Sequence, residues 1–408
     1  MKILHISSSY FPALQMGGPI KSVHELNKWL VKNGAEITVY TTNAGLKNNK
    51  EILLKKETEI NGVKVFYFPY YGYIHWTFSP ALFFALAKNV KNFDIVHITG
   101  VWNFPVSVAA FWARFYKKPY IISPRGSLMK EPLEKKSSLK KKIHLWFFGK
   151  RDLKNASAIH FTVEREKEEY LKAELPLKKV IIIPNGLNLD DFNIRKSDFP
   201  NIDVNIRKSD FLGLNFRKKF NIYSDKKIIL FLARLHPIKG LDTLIPAFAE
   251  VIKKEPKAVL VLAGPDEKNY KKEIELKIVN CKLKIDKDVI FTGMILSNDK
   301  PAAYKESNVF VLPSYSENFG MAAAEAMSFG LPVIVTKGVG ISDEIEKAVA
   351  GIVIEKNEKQ LSEAILKILN NPDLAKKMGE QGRELVKNEF SSGKVAERFI
   401  KEYNKILE

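Results

Sequence analysis

Cysteine is almost absent: Cys281 stands alone in 408 residues, which rules out an intramolecular disulfide and any zinc site built on several cysteines. A small buried apolar role suits it, and a reducing compartment fits the composition. Proline is limited to 19 residues, no low-complexity tract occurs, and aromatics make up 11%, so the chain reads as globular rather than disordered. Uninterrupted apolar runs of membrane-spanning length are missing too. Val65 to Ala87 and Ile95 to Ala113 carry no formal charge, but Pro69, Gly72, His75 and Pro80 break the first, and Gly100 and Pro105 the second. The apolar run Ile3 to Ile6 is too short for a signal peptide and reads as a first strand. Acidic residues are scarce in one half only. Residues 1–185 hold 29 Lys and Arg against 14 Asp and Glu, and the remainder holds 36 against 32, so the net +19 splits into +15 and +4. An excess so placed points the first half at something anionic, whether a lipid headgroup layer, nucleic acid or a phosphorylated substrate.

What is present is enough apolar material, 46% of the chain, for two ordinary cores. Short β-rich runs alternate with helical patterns: Ile3–Ser7, Ile37–Thr41, Val63–Phe68, Ile95–Ile98, Tyr120–Ser123, Ala158–Phe161 and Val180–Ile183. The pattern restarts at Ile228–Ala233, Ala258–Ala263, Val289–Thr292, Val309–Leu312, Val333–Val335 and Gly351–Ile354. Alternation of this kind predicts two parallel-sheet α/β domains. We place them at 1–185 and 186–391, with a C-terminal helix at 392–408 packing back on the first. Between them Asn193-Ile-Arg-Lys-Ser-Asp-Phe199 recurs as Asn205-Ile-Arg-Lys-Ser-Asp-Phe211. Such a repeat is far too short for a solenoid and reads as a duplicated linker insertion, which costs little loop entropy.

Three segments carry chemistry. In Val309-Phe-Val-Leu-Pro313-Ser-Tyr-Ser-Glu317-Asn318-Phe319-Gly320-Met321-Ala-Ala-Ala-Glu325 a buried strand, a polar turn and a helix follow one another. Glu317 falls just before the helix, where a side chain reaches the crevice at the carboxyl ends of the strands, and Glu325 lies about two turns on. Amide groups around Phe319, Gly320 and Met321 favour a phosphate or sugar oxygen, and the carboxylates suit sugar and ribose hydroxyls. Taken singly, each Glu is equally well read as a helix-terminal or solvated carboxylate. Second, Leu230-Phe-Leu-Ala-Arg234-Leu-His-Pro-Ile-Lys239-Gly240 delivers two cations after a strand, able together to neutralise a diphosphate, although taken singly the segment reads more readily as an ordinary basic loop. Third, the loop after the first strand carries Gly17-Gly18 ahead of a helix, where backbone amides can approach a phosphate. It lacks the full dinucleotide fingerprint, and no G-x-x-x-x-G-K-[ST] loop occurs.

These motifs, in this order, resemble the retaining GT-B glycosyltransferases of glycosyltransferase family 4, also called glycosyl transferases group 1. Pro184-Asn-Gly-Leu-Asn-Leu-Asp190-Asp-Phe192 is similar to that family's interdomain segment. The resemblance implies two Rossmann-like domains facing across a cleft, a nucleotide-diphosphate sugar as donor substrate, no cofactor and no catalytic metal. It implies that Arg234 and Lys239 hold the diphosphate, Glu317 meets the donor sugar and Glu325 accepts from the ribose. Gly17 and Gly18 would give backbone to the phosphate, with Gly264, Thr292 and Gly293 near the base, and Asn318 to Met321 around the sugar. It further implies retention of anomeric configuration, with a donor phosphate oxygen assisting the incoming hydroxyl, so that no strong base is needed. Positive side chains and helix N-termini would fill the electrostatic role of a divalent ion.

Asp94-Ile-Val-His97-Ile-Thr-Gly100-Val-Trp102 and Ile122-Ser-Pro-Arg125-Gly-Ser-Leu-Met129 look like enzymes that build bacterial surface polysaccharides or lipopolysaccharide. On that resemblance Trp102 and Arg125 are expected on the acceptor side, and His97 at the rim of the pocket with a catalytic role, although a satisfied histidine at a strand end suits it equally. Relatives often have His where this chain has Arg125, so Arg125 is assigned to an acceptor or phosphate group. The segment Lys130 to Lys154 holds nine Lys and Arg against three acids, with Leu139, Ile143, Trp146 and Phe147 at helical spacing. Such a helix suits an anionic membrane surface, and equally a core helix with a solvated basic flank. Lipid-linked or other glycan acceptors and a cytoplasmic, peripheral place on the inner face of the cell membrane follow from the first alternative. The charge alone would also suit nucleic acid, but no known module interleaves aromatic and basic residues here, and none is expected to bind. An epimerase or phosphorylase of the same fold is disfavoured by the intact Glu-x7-Glu with Arg and Lys.

Overall fold

The computed structural model describes residues 1–46, 49, 52–129, 133, 141, 143–189, 216–295 and 299–408. They form two compact units, Met1–Gly186 with Ser392–Glu408, and Leu187–Ser391. The repeat at 193–211, the Asp190 to Phe192 end of the interdomain motif, and Leu139 lie outside the described residues.

In the first unit the chain runs through β1 (Lys2–Ile6), α1 (Pro19–Lys32), β2 (Glu36–Thr42), β3 (Glu57–Ile60), β4 (Val63–Phe68), α2 (Pro80–Asn89), β5 (Ile95–Thr99) and α3 (Phe104–Phe115). It continues through β6 (Tyr120–Ser123), α4 (Lys150–Asn155), β7 (Ala158–Phe161), α5 (Glu164–Leu171) and β8 (Val180–Ile182). Among the described residues the sheet order is β3-β4-β2-β1-β5-β6-β7-β8, parallel except for β3 against β4. Strands this apolar must be covered on both faces. On one face Leu4, Ile6, Ile98 and Ile122 pack with residues of α2 and α3, and on the other Ile3, Ile37, Val65 and Ile95 pack with residues of α1. Two of the prolines that interrupt the charge-free stretches start helices. Pro80 and Pro105 sit in first turns whose caps, Ser79 and Asn103, accept from the amides of Leu82 and Val106. Strand β3, absent from the sequence reading, follows from Asn61-Gly62, both at positive φ, a pair suited to a two-residue hairpin.

The second unit contains β9 (Lys227–Leu232), α6 (Leu241–Lys254), β10 (Ala258–Ala263), α7 (Tyr270–Asn280), β11 (Val289–Gly293), α8 (Asp299–Glu306), β12 (Val309–Leu312) and α9 (Met321–Ser328). Then come β13 (Val333–Thr336), α10 (Ser342–Lys347), β14 (Gly351–Ile354), α11 (Glu358–Leu369) and α12 (Pro372–Leu385). Its sheet is parallel throughout, in the order β11-β10-β9-β12-β13-β14. The last helix, α13 (Ser392–Leu407), belongs to the first unit, where Val395, Ala396, Phe399 and Tyr403 are buried. No helix of the described residues is long and apolar enough to cross a membrane.

The strand orders fix where ligands can go. In the first unit the chain builds from β1 through β2 to β4 on one side and from β5 to β8 on the other, so the loops after β1 and β5 diverge. In the second unit the same reversal separates β9 from β12. Crevices of open parallel sheets form at such reversals, outside the carboxyl ends of the strands.

Candidate active site

In the second unit, the reversal brings together the two strongest motifs of the sequence. The loop after β9 holds Arg234 and Lys239, and the loop after β12 holds Glu317 to Gly320. Their backbones are hydrogen-bonded, Tyr315 N to the Ile238 carbonyl at 2.8 Å, and the second loop is clamped from its other side by Glu317 N to Gly338 O at 3.0 Å. Glycine is required where the loops touch: a Cβ on Gly240, at φ +75°, would lie 1.9 Å from the Pro313 carbonyl oxygen. Tyr315 adds an anchor by donating to Asp242 at 2.5 Å, with Lys356 over its ring at 3.5 Å.

Lys239 Nζ donates to Glu317 Oε2, its side chain only 11% exposed. Arg234 pairs with Glu267 at 2.5 Å, its side chain 60% exposed. Each cation is thus paired with a carboxylate. The chain then enters α9 through Gly320, at φ +101°, and the first amides of a helix have no partner within it. Phe319 turns its ring inward against Phe390, 5.3 Å between centroids, leaving only its backbone to serve the loop.

Glu325 is not a solvated helix residue. It is 4% exposed, and its Oε2 receives Lys300 Nζ at 2.6 Å and Tyr304 Oη at 2.9 Å. Burial first, and then the Glu325 charge, push the Tyr304 hydroxyl well above its usual range, so it stays a donor. On the neighbouring strands Gly264 donates to the Gly293 carbonyl at 2.8 Å, and a Cβ there, at φ +148°, would meet the Ala233 oxygen at 1.9 Å. Thr292 Oγ1 donates to the Gly293 carbonyl at 3.0 Å, and Gly293 is exposed. Glu267, Lys300 and Tyr304 were not singled out in the sequence. Lys300 and Tyr304 do sit four apart on α8, but nothing local says that they face Glu325.

In the first unit, Gly17, at φ +125°, and Gly18 form the turn into α1, and Gly18 is the N-cap of that helix. Trp102, half-buried in the loop after β5, donates from its indole to the Ser127 carbonyl at 3.3 Å. Arg125 follows β6 at φ +54° and donates to Asn185 Oδ1. Its Nε is buried with no hydrogen-bond partner among the described residues, and burial pulls the guanidinium down to about 10, leaving it a cation at neutral pH.

His97 corrects the sequence expectation. It lies inside β5, fully buried, with Nδ1 on Tyr403 Oη at 2.6 Å and Nε2 on Ser123 Oγ at 2.7 Å. Its ring stacks on His5 at 4.5 Å. Both nitrogens are spent and the rim is out of reach, so it is a core histidine that ties α13 to the sheet. His160 continues the network through Ser123 at 2.7 Å to the Ile183 carbonyl at 2.8 Å. Burial holds all three rings neutral, His5 and His160 down to about 3.

Two largely parallel Rossmann-like sheets, one in each unit, define the GT-B class. A solved structure of the same fold is the Anabaena protein HepE in complex with UDP, 17% identical, with a TM-score of 0.76 over 99% of this chain and 100% of that one. Residues 16–191 match the model for Glycosyltransferase Family 4, and residues 214–385 match that for Glycosyl transferases group 1. The chain therefore belongs to this family and is a glycosyltransferase. An uncharacterized glycosyltransferase of Methanocaldococcus jannaschii is 25% identical over 416 residues, covering 100% of this chain and 99% of the relative. The lipopolysaccharide 1,2-N-acetylglucosaminetransferase of Salmonella typhimurium is 27% identical over 242 residues, 57% of this chain and 59% of the relative.

Proposed function

We propose that this glycosyltransferase moves a sugar from a nucleotide-diphosphate donor to a glycan or lipid-linked acceptor, with retention and without a metal ion, in the making of a cell-surface polysaccharide or lipopolysaccharide. The observation that carries the reading is the pair of loops at the β9/β12 reversal, where Arg234, Lys239, Glu317 and the start of α9 share one edge of the sheet. A diphosphate would draw Arg234 from Glu267 and Lys239 from Glu317, freeing Glu317 for a sugar hydroxyl. Gly264, Thr292 and Gly293 would border the base, and Glu325, oriented by Lys300 and Tyr304, the ribose. As the C1–O bond to the diphosphate breaks, the two cations and the α9 amides stabilise the charge on the leaving oxygen. The acceptor oxygen bonds C1 from the same face and gives its proton to a donor phosphate oxygen.

The first unit would take the acceptor, with Trp102 and Arg125 beside it and the Gly17-Gly18 turn offering amides to a phosphate. The lipopolysaccharide transferase among the relatives, and the resemblance of residues 94–102 and 122–129 to polysaccharide enzymes, support the acceptor class. The +15 charge of residues 1–185 supports a peripheral place on an anionic membrane. A panel of UDP-, GDP- and ADP-sugars tests the donor class through thermal unfolding, because a ligand of the native state raises the midpoint. One nucleotide family should do so and then yield a product with the donor's anomeric configuration. Inversion, or protection by none of the panel, contradicts the proposal.

A further inference from the structure

The first unit exposes large aromatic side chains on three helical elements. Phe84 lies on α2, Phe111 and Phe115 on α3, and Trp146, Phe147 and Phe148 on the π-helical turn Leu145–Gly149 that leads into α4. Trp146 is 71% and Phe115 65% exposed. Soluble chains scatter such residues singly, so six on adjoining elements call for an explanation.

These elements form one surface. Trp112 lies 5.3 Å from Phe83 of α2, and 5.1 and 5.3 Å from Phe111 and Phe115. On the other side of α3, Ser107 Oγ meets His144 Nε2 at 3.4 Å, and the His144 ring lies 5.7 Å from Phe148. Arg114 and Asp152, paired at 2.5 Å, fasten α3 to α4. Leu145 and Leu153 sink into the same core as Ala109 and Ala113, which sets the rings of residues 146–148 outward.

The charge around this face has one sign. Residues 80–93, 104–118 and 143–155 contain eight Lys and Arg and a single acid, Asp152, which is buried against Arg114. Lys88, Lys117, Lys150, Arg151 and Lys154 are exposed. Aromatic rings fringed by cations match the boundary between acyl chains and anionic headgroups, where rings insert and cations stay in the phosphate layer.

We propose that the surface built by α2, α3 and residues 143–155 docks on an anionic lipid bilayer by inserting Phe111, Phe115, Trp146 and Phe147 below the headgroups. This rests on the reading of the protein as a peripheral membrane enzyme and deepens it by naming the contact. Insertion makes the attachment only partly electrostatic, so part of it survives high salt.

The test uses the full chain, co-sedimented across a salt series with vesicles of phosphatidylglycerol and phosphatidylcholine and with vesicles of phosphatidylcholine alone. The wild type should bind the anionic vesicles and keep a bound fraction in high salt. A Phe115→Ser, Trp146→Ser, Phe147→Ser variant should lose at least tenfold of that salt-resistant partition with an unchanged melting temperature. Lys150→Glu, Arg151→Glu and Lys154→Glu together should lose binding mainly at low salt. Acyl-brominated lipids should quench tryptophan emission in the wild type and less in Trp146→Phe, a readout that does not depend on the multiple variants folding. Wild-type binding matched by the aromatic variant, with no Trp146-dependent quenching, overturns this face while leaving membrane attachment standing. No binding by the wild type overturns both. Self-association that the aromatic variant abolishes, with vesicles ignored, assigns the face to a second copy of the chain and also overturns the proposal.

Discussion

Lys239→Ala and Arg234→Ala separate catalysis from stability, because the two cations sit in different surroundings. Each contact to a departing diphosphate should contribute about 2–4 kcal/mol in the transition state, so turnover at limiting donor should fall by about two to three decades in either variant. Their effects on folding should differ. The Arg234–Glu267 pair is solvent-exposed, and such pairs contribute about 0–1 kcal/mol, so Arg234→Ala should melt within about 3 °C of wild type. Lys239 is mostly buried, and its loss leaves Glu317 without its cation. Since Glu317 is 24% exposed, water relieves part of that cost, leaving about 1–2 kcal/mol, or roughly 3–6 °C in a unit of this size. Paired measurements of turnover at limiting donor and thermal unfolding decide the matter. Near-normal turnover in both variants would refute the assignment. So would an Arg234→Ala enzyme whose activity loss is matched by a comparable loss of melting temperature.

Turnover should survive excess EDTA if the two cations replace a divalent ion, and loss of activity restored by manganese or magnesium contradicts this. Tyr304→Phe removes the hydroxyl donor from the buried Glu325 carboxylate while Lys300 remains. A charge-assisted bond of about 1.5–3 kcal/mol is lost, so the donor KM should rise at least about tenfold with a smaller change in kcat. An unchanged KM would separate Glu325 from the donor. Acid should weaken the fold earlier than its carboxylates alone require. His5 and His160 stay neutral down to about 3 in the native state, whereas the unfolded chain takes up protons below about 6.5. Their stabilisation is complete above about pH 6.5 and shrinks as pH falls toward 3, by about 1.4 kcal/mol per pH unit for each ring. Thermal unfolding between pH 7.5 and 5 reads this, and a flat profile would show that the buried rings titrate normally.

The sequence made the sheets legible because parallel strands covered on both faces are apolar throughout: Ala258–Ala263 and Val309–Leu312 are strands residue for residue. Strand β3 escaped because Glu57-Thr-Glu-Ile60 lies at an edge and carries little apolar signal, although Asn61-Gly62 marked its turn. In the candidate site, motifs continuous in sequence were visible, while partners that meet through the fold were not. Glu267 reaches Arg234 from another loop, and Lys300 and Tyr304 reach Glu325 from another helix. His97 was misplaced because a histidine at a strand end looks the same whether its neighbour is solvent or Tyr403, which lies 306 positions away in the chain. The exposed rings of residues 146–148 depart from an ordinary helical stripe because the turn there is π-helical.

The central claim is that the loops after β9 and β12 hold the diphosphate of a nucleotide-sugar donor. Calorimetric titration of the full chain with UDP, GDP and ADP, in parallel with an Arg234→Ala, Lys239→Ala variant, tests it most directly. At least one nucleotide should bind the wild type, and the same nucleotide should bind the variant at least tenfold more weakly. Equal affinity for the two proteins, or binding of none of the three by the wild type, would contradict the account.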